Sequence, residues 1–181
     1  MEQIGVKPYL TSLEYLLDEL RLIELHLGLA VIKFRKRNKM EEKGQKDFAG
    51  MYISNEEIDS VIHPTVEGDI DNERLYIAIN AHKKIIEKRK MESTILSLKH
   101  VCEVFDLSEF EKNVLLICIA PEMDLKFEKL YSYLQNDITK KKPTIGLILD
   151  LLSNSIKEKV SNRQYFLNHN TLFRLHLINF E

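Results

Sequence analysis

The stretch TSLEYLLDELRLIELHLGLAVIKF, residues 11–34, governs how the rest of the chain is read. Thr11 and Glu14 make a capping-box pair, the hydroxyl offered to an unbonded first-turn amide and the carboxylate reaching back. Leu13, Leu16, Leu17, Leu20, Ile23 and Leu27 then recur at three- and four-residue steps, which predicts one long helix continuing to Phe34. A second stripe, Leu22, Leu25, Leu29 and Ile32, lies on another face. A helix apolar on more than one face is normally buried on more than one side. The pattern therefore predicts packing against its own domain and also against a further domain or subunit.

Outward from this helix, Arg35, Lys36, Arg37, Lys39, Lys43 and Lys46 stand against Glu41 and Glu42, the pattern of a solvated helix end followed by a loop. Ser54 and Glu57 form a second capping box, opening a short helix through Ile62 that His63-Pro64 stops. A second long helix is predicted from Asp71 to about Met91. Leu75, Ala78, Ile79, His82, Ile85 and Ile86 form its inner side, and its end is basic, as the helix dipole favours. The two long helices are expected to pair, antiparallel or crossing.

The second half has shorter units: Ser97 to Phe105, Glu109 to Ala120, Asp124 to Gln135 and Thr144 to Leu152. Ser108 and Glu111 make a third capping box, Pro121 is read as following a helix end, and Pro143 precedes the last helix. The tail then changes period, with Phe173, Leu175 and Leu177 alternating with Arg174 and His176. Tyr165-Phe166-Leu167 could pair with it across a turn at Asn168-His169-Asn170-Thr171. The expected fold class is mainly α, with long helices packed with a winged-helix-like unit ending in a small β-hairpin. The expected division is a long-helix region over 1–92 and a winged-helix-like domain over 93–181.

Composition narrows the function. With 26 basic and 28 acidic residues the net charge is −2, so no global field draws the chain to nucleic acid or to an anionic membrane. The richest apolar stretch, Leu20 to Phe34, is broken by Arg21, Glu24, His26 and Lys33 and falls short of a membrane span. Cys102 and Cys118 sit in apolar helical patterns, as free thiols in a reducing compartment do. No signal-peptide pattern opens the chain, so a cytoplasmic location is expected.

Catalytic equipment is not legible. No GxxxxGK[ST] loop occurs, although phosphate binding needs its glycines and lysine. The six histidines show no HxH or HExxH and no ligand spacing with either cysteine, so no metal or cofactor is expected. Leu147-Ile148-Leu149-Asp150 reads as a buried helix face, and Asn168-His169-Asn170 as a polar turn. The one signal for nucleic acid is the winged-helix outline, with Lys140, Lys141 and Lys142 beside it and Arg174 and His176 on its ribbon. These five residues are the candidate interaction surface. The would-be recognition helix, with Asp124, Lys126, Glu128 and Lys129, has no net charge, which favours protein interaction over groove reading.

Several strings resemble a known family. Ser12 to Ile23 is similar to the opening helix of bacterial AAA+ ATPases encoded with phage-tail-like contractile injection systems, and Tyr52 to Asp59 is similar to a later segment. The most specific stretch runs from Phe105 to Leu152. It includes Leu107-Ser108-Glu109-Phe110-Glu111, Ala120-Pro121-Glu122-Met123-Asp124-Leu125, Leu130 to Asp137 and Lys142-Pro143-Thr144. Leu172-Phe173-Arg174-Leu175 resembles the strand before the ATPase core, and the likeness lapses over Lys36 to Lys46 and Val66 to Asn72.

The resemblance implies a non-catalytic N-terminal region of a ring ATPase that contacts a protein substrate or positions the ring. ATP and magnesium would belong to a module beyond this region, so no functional residue carries over. A protein partner or the chain's own ATPase module, and a monomeric or weakly dimeric fragment, are expected; a winged-helix nucleic-acid-binding module is the alternative.

Overall fold

The computed structural model describes residues 7–41, 53–62, 72–93 and 96–179. Nine α-helices are described: α1 (Ser12–Glu41), α2 (Asn55–Ile62), α3 (Asn72–Met91), α4 (Ser97–Val104), α5 (Glu109–Met123), α6 (Lys126–Leu134), α7 (Ile145–Leu152), α8 (Ile156–Asn162) and α9 (Thr171–Arg174). A 3-10 turn, Arg163–Phe166, links α8 to the tail. Of the stretch read as a solvated helix end and loop, Arg35 to Lys46, α1 takes in the part up to Glu41; the rest of it, the stop at His63-Pro64 and the helix start at Asp71 lie outside the described residues.

Thr11 caps α1 as its sequence predicts, its hydroxyl accepting from the Glu14 amide at 3.1 Å. The Glu14 carboxylate reaches the Leu10 N–H at 3.0 Å, one residue before the cap. α1 is the axis of the molecule, packed by α3, α4, α5, α6 and α7. Leu20, Ile23 and Leu27 of one stripe and Leu22, Leu25 and Leu29 of the other are all buried within this one chain. This corrects the expectation that one face awaits a further domain: five helices of the same chain cover both stripes. Outward-facing leucines remain only at the start of α1, where Leu13 and Leu17 are half exposed.

α3 runs antiparallel to α1. Leu75, near its start, lies beside Gly28, while Arg89, near its end, bonds Asp18 at 2.7 Å and Glu14 at 3.3 Å. Leu75, Ile79 and Ile86 are buried, whereas Ile85 faces outward. Buried side chains on both sides of the division at 92/93, such as Leu27 and Ile79 with Val114 and Leu130, belong to one core cluster.

α4, α5 and α6 supply the three short helices of the winged-helix outline. Ser108 and Glu111 form the reciprocal capping box of α5. Pro121, read as following a helix end, instead lies inside α5, buried. Proline has no N–H, so the Ile117 carbonyl four residues earlier loses its helical donor. The hydroxyl of Tyr131, on α6, donates to that carbonyl at 2.8 Å and so replaces the missing bond.

The tail departs most from expectation. No strand is present among the described residues, so the small β-hairpin is not formed. The amides of Leu177 and His176 bond the carbonyls of Leu172 and Phe173 at 2.9 Å and 3.1 Å, and His176 has φ 53°. This is a Schellman ending with a left-handed residue just past α9. Its donors are used within the turn, leaving no ladder for a hairpin partner. The same bonds close α4 at Asp106 (φ 50°) and α6 at Asn136 (φ 50°), through Leu107 to Cys102 and Asp137 to Ser132.

Candidate interaction surfaces

α6 is the element a winged helix would offer to a DNA groove. Its Phe127, Leu130, Tyr131 and Ser132 are buried, and it packs on α1, α2 and α5. Its charged residues are engaged. Lys126 reaches the buried Glu24 of α1 at 3.1 Å, Lys129 reaches Glu57 of α2 at 2.9 Å, and Glu128 takes Lys141 at 3.1 Å. Tyr133 holds the far end: its hydroxyl accepts from Arg35 at 3.0 Å and donates to Asn55 at 2.6 Å. Arg35 also bonds Asp59 at 2.7 Å and the Asn55 carbonyl at 3.0 Å, so it fastens α2 to α1 instead of belonging to a solvated helix end.

The loop after α6 is stitched to itself. The Gln135 amide donates to the carbonyls of Lys140 and Lys142 at 3.1 Å and 3.0 Å, and its oxygen accepts from the Thr144 amide at 3.2 Å. Asp137 accepts from the hydroxyl and amide of Thr139, which hold its carboxyl below the ordinary range. Lys140 lies 3.5 Å from Asp137 and Lys141 pairs with Glu128. Two of the three candidate lysines therefore face carboxylates of their own chain.

Arg174 and His176 lie in other surroundings. They line an open depression of about 630 Å³ with Asn168, Phe173 and Asn179. The five candidate residues thus fall into two groups with different neighbours.

The segment that carries Arg174 has its own electrostatic character. Over residues 153–179 the cations are Lys157, Lys159, Arg163 and Arg174 and the only acid is Glu158, a net +3 in a chain whose total is −2. Lys159 forms an ion pair with Asp150 of α7. Lys157 and Arg163 are exposed and have no ion pair among the described residues.

Buried charge was the feature the sequence concealed. Glu19 and Lys112 are both buried, and the ammonium bonds both carboxylate oxygens at 3.0 Å and 3.1 Å. Burial alone would lower the Lys112 pKa; the Glu19 and Glu109 carboxylates outweigh it and hold the group above the ordinary lysine value. A helical spacing of Glu19 within an apolar stripe was the available signal, but its partner is 93 residues away.

The remaining titratable groups do not converge. Among the described residues no three His, Cys, Asp or Glu side chains are placed to hold a metal. His26 is pushed down to about 4 by burial and by Lys83 and Lys33, and burial pushes the Cys118 thiol up to about 11. His82 is tied to the Asp18 carbonyl at 2.8 Å. No helix among the described residues is long and apolar enough to cross a membrane.

A family model described as winged helix domain, variant, matches residues 1–181. The chain belongs to that family. The match spans both halves of the chain. Helical endings take the place of a β-ribbon after α8. No curated protein and no solved structure matches the chain. A winged helix domain serves as a DNA-binding or a protein-interaction module.

Proposed function

We propose that this winged helix domain is a non-catalytic protein-interaction module. The observation that carries the reading is the state of α6: Lys126 and Lys129 are paired with Glu24 and Glu57, and the helix is packed on α1 and α2. Groove binding needs a free basic helix, because phosphate neutralisation supplies most of the affinity. Presenting the cations of α6 to DNA would require breaking these pairs.

The resemblance to AAA+ ATPases of contractile injection systems suggests the setting. There the domain would contact a protein substrate, or position the ring, while a separate module bound ATP and magnesium. In this reading the domain itself is monomeric or weakly dimeric and acts in the cytoplasm.

Titration of the chain with a DNA duplex at low salt tests the choice. Absence of binding is expected; binding that weakens steeply with salt overturns the proposal in favour of a nucleic-acid module.

A further inference from the structure

α8 is tied to the chain before it by polar groups. Asn162 donates to Ser153 at 3.1 Å and Lys159 pairs with Asp150, while the Glu158 carboxylate accepts from the Asn154 amide at 2.7 Å at the helix start. Its outward side carries Ile156, 80% exposed, and Val160, 70% exposed. These two are four residues apart and so stand on one helical face. Arg163 continues that face one turn on, because Asn162 and Arg163 keep helical backbone angles into the 3-10 turn. No residue of α8 is buried. Packing among the described residues therefore explains neither aliphatic side chain.

We propose that this face docks an acidic amphipathic helix of a protein partner. Ile156 and Val160 would meet its aliphatic side chains, and Lys157 and Arg163 its carboxylates. The inference rests on the protein-interaction reading and gives that reading a surface and a partner chemistry. Charge selects the occupant: Lys157 and Arg163, exposed beside the two aliphatic residues, have no ion pair among the described residues. Apolar content at the centre of the face separates it from a phosphate-binding surface, where aliphatic side chains have nothing to bury against.

The test uses the full chain, isotope-labelled for NMR, and a synthetic helical peptide with leucines at four-residue spacing flanked by glutamates. A matched peptide with lysines for glutamates and a DNA duplex serve as comparators. Saturable shifts confined to residues 156–167 are expected with the acidic peptide only. Ile156→Asp with Val160→Asp should weaken that binding about tenfold or more, since buried apolar contact is lost at both positions. An unchanged circular dichroism melt would show that the variant folds. Lys157→Glu with Arg163→Glu should reverse the preference toward the lysine peptide.

Equal binding of both peptides, shifts elsewhere on the molecule, or no shift up to about 1 mM peptide overturns the inference. So does concentration-dependent self-association that Ile156→Asp abolishes, which would make a second copy the occupant. A silent peptide titration beside a silent duplex titration removes this surface alone. Salt-sensitive duplex binding removes the protein-interaction reading with it.

Discussion

α1 and α8 are written in the same vocabulary, aliphatic residues interleaved with lysine, arginine and glutamate, and use it in opposite senses. On α1 the aliphatic stripes are covered on both sides from Leu20 to Leu29, and even the interrupting acids are taken inward, Glu19 to Lys112 and Glu24 to Lys126. On α8 no side chain is buried, and the aliphatic ones, Ile156 and Val160, face water. An apolar residue in a helix therefore says that something is to be covered, and only the neighbouring elements say by what. Surrounded by five helices, α1 answers from within the chain, whereas the exposed side chains of α8 find no cover among the described residues.

The comparison can be broken hardest at the Glu19–Lys112 pair. Lys112→Met leaves a carboxylate buried without its cation, at a cost of about 3–5 kcal/mol in urea unfolding. Adding Glu19→Leu should recover most of that loss, since a buried pair is often replaceable by apolar groups of similar volume. A single variant as stable as the parent would mean that water reaches Glu19, and that α1 is less enclosed than its burial indicates.

A smaller effect is expected where α5 meets α6. Tyr131→Phe removes the donor that replaces the proline's missing N–H and strands the Ile117 carbonyl, costing about 1–3 kcal/mol. Pro121→Ala restores a helical donor to the same carbonyl, so the double variant should be less destabilised than the two single losses added together. Simple additivity in the unfolding cycle would show that the Tyr131 hydroxyl does not serve that carbonyl.

How much of this was legible follows from the range over which each signal acts. The caps at Thr11, Ser108 and Thr144 depend on residues three apart, so the helix starts could be read from the chain alone. Helix ends were harder, because Asp106, Asn136 and His176 fill the left-handed position that glycine usually marks. Missing that ending at His176 turned a helical turn into a predicted hairpin. Pro121 misled for the opposite reason: the stand-in donor, Tyr131, lies 14 residues beyond the Ile117 carbonyl it serves, outside any local rule. The candidate site fared similarly. Lys140 to Lys142 and Arg174 were legible as cations, but the carboxylates that occupy Lys140 and Lys141 appear only once the loop closes on α6.

The smallest effect bears most directly on α8. Replacing Ile156 and Val160 by serine removes aliphatic surface that the fold never buried, so unfolding should change by no more than about 0.5 kcal/mol. Phe166 is a fitting internal reference, four residues past α8, buried and in ring contact with Phe110 and Phe173. Its replacement by alanine belongs with core truncations that cost about 3–5 kcal/mol. A measurable stability loss from the serine pair would mean that α8 packs on its own chain through those side chains, leaving no outward face to contrast with α1. A neutral result leaves two aliphatic residues whose retention folding does not require, which is the condition a docking surface has to meet.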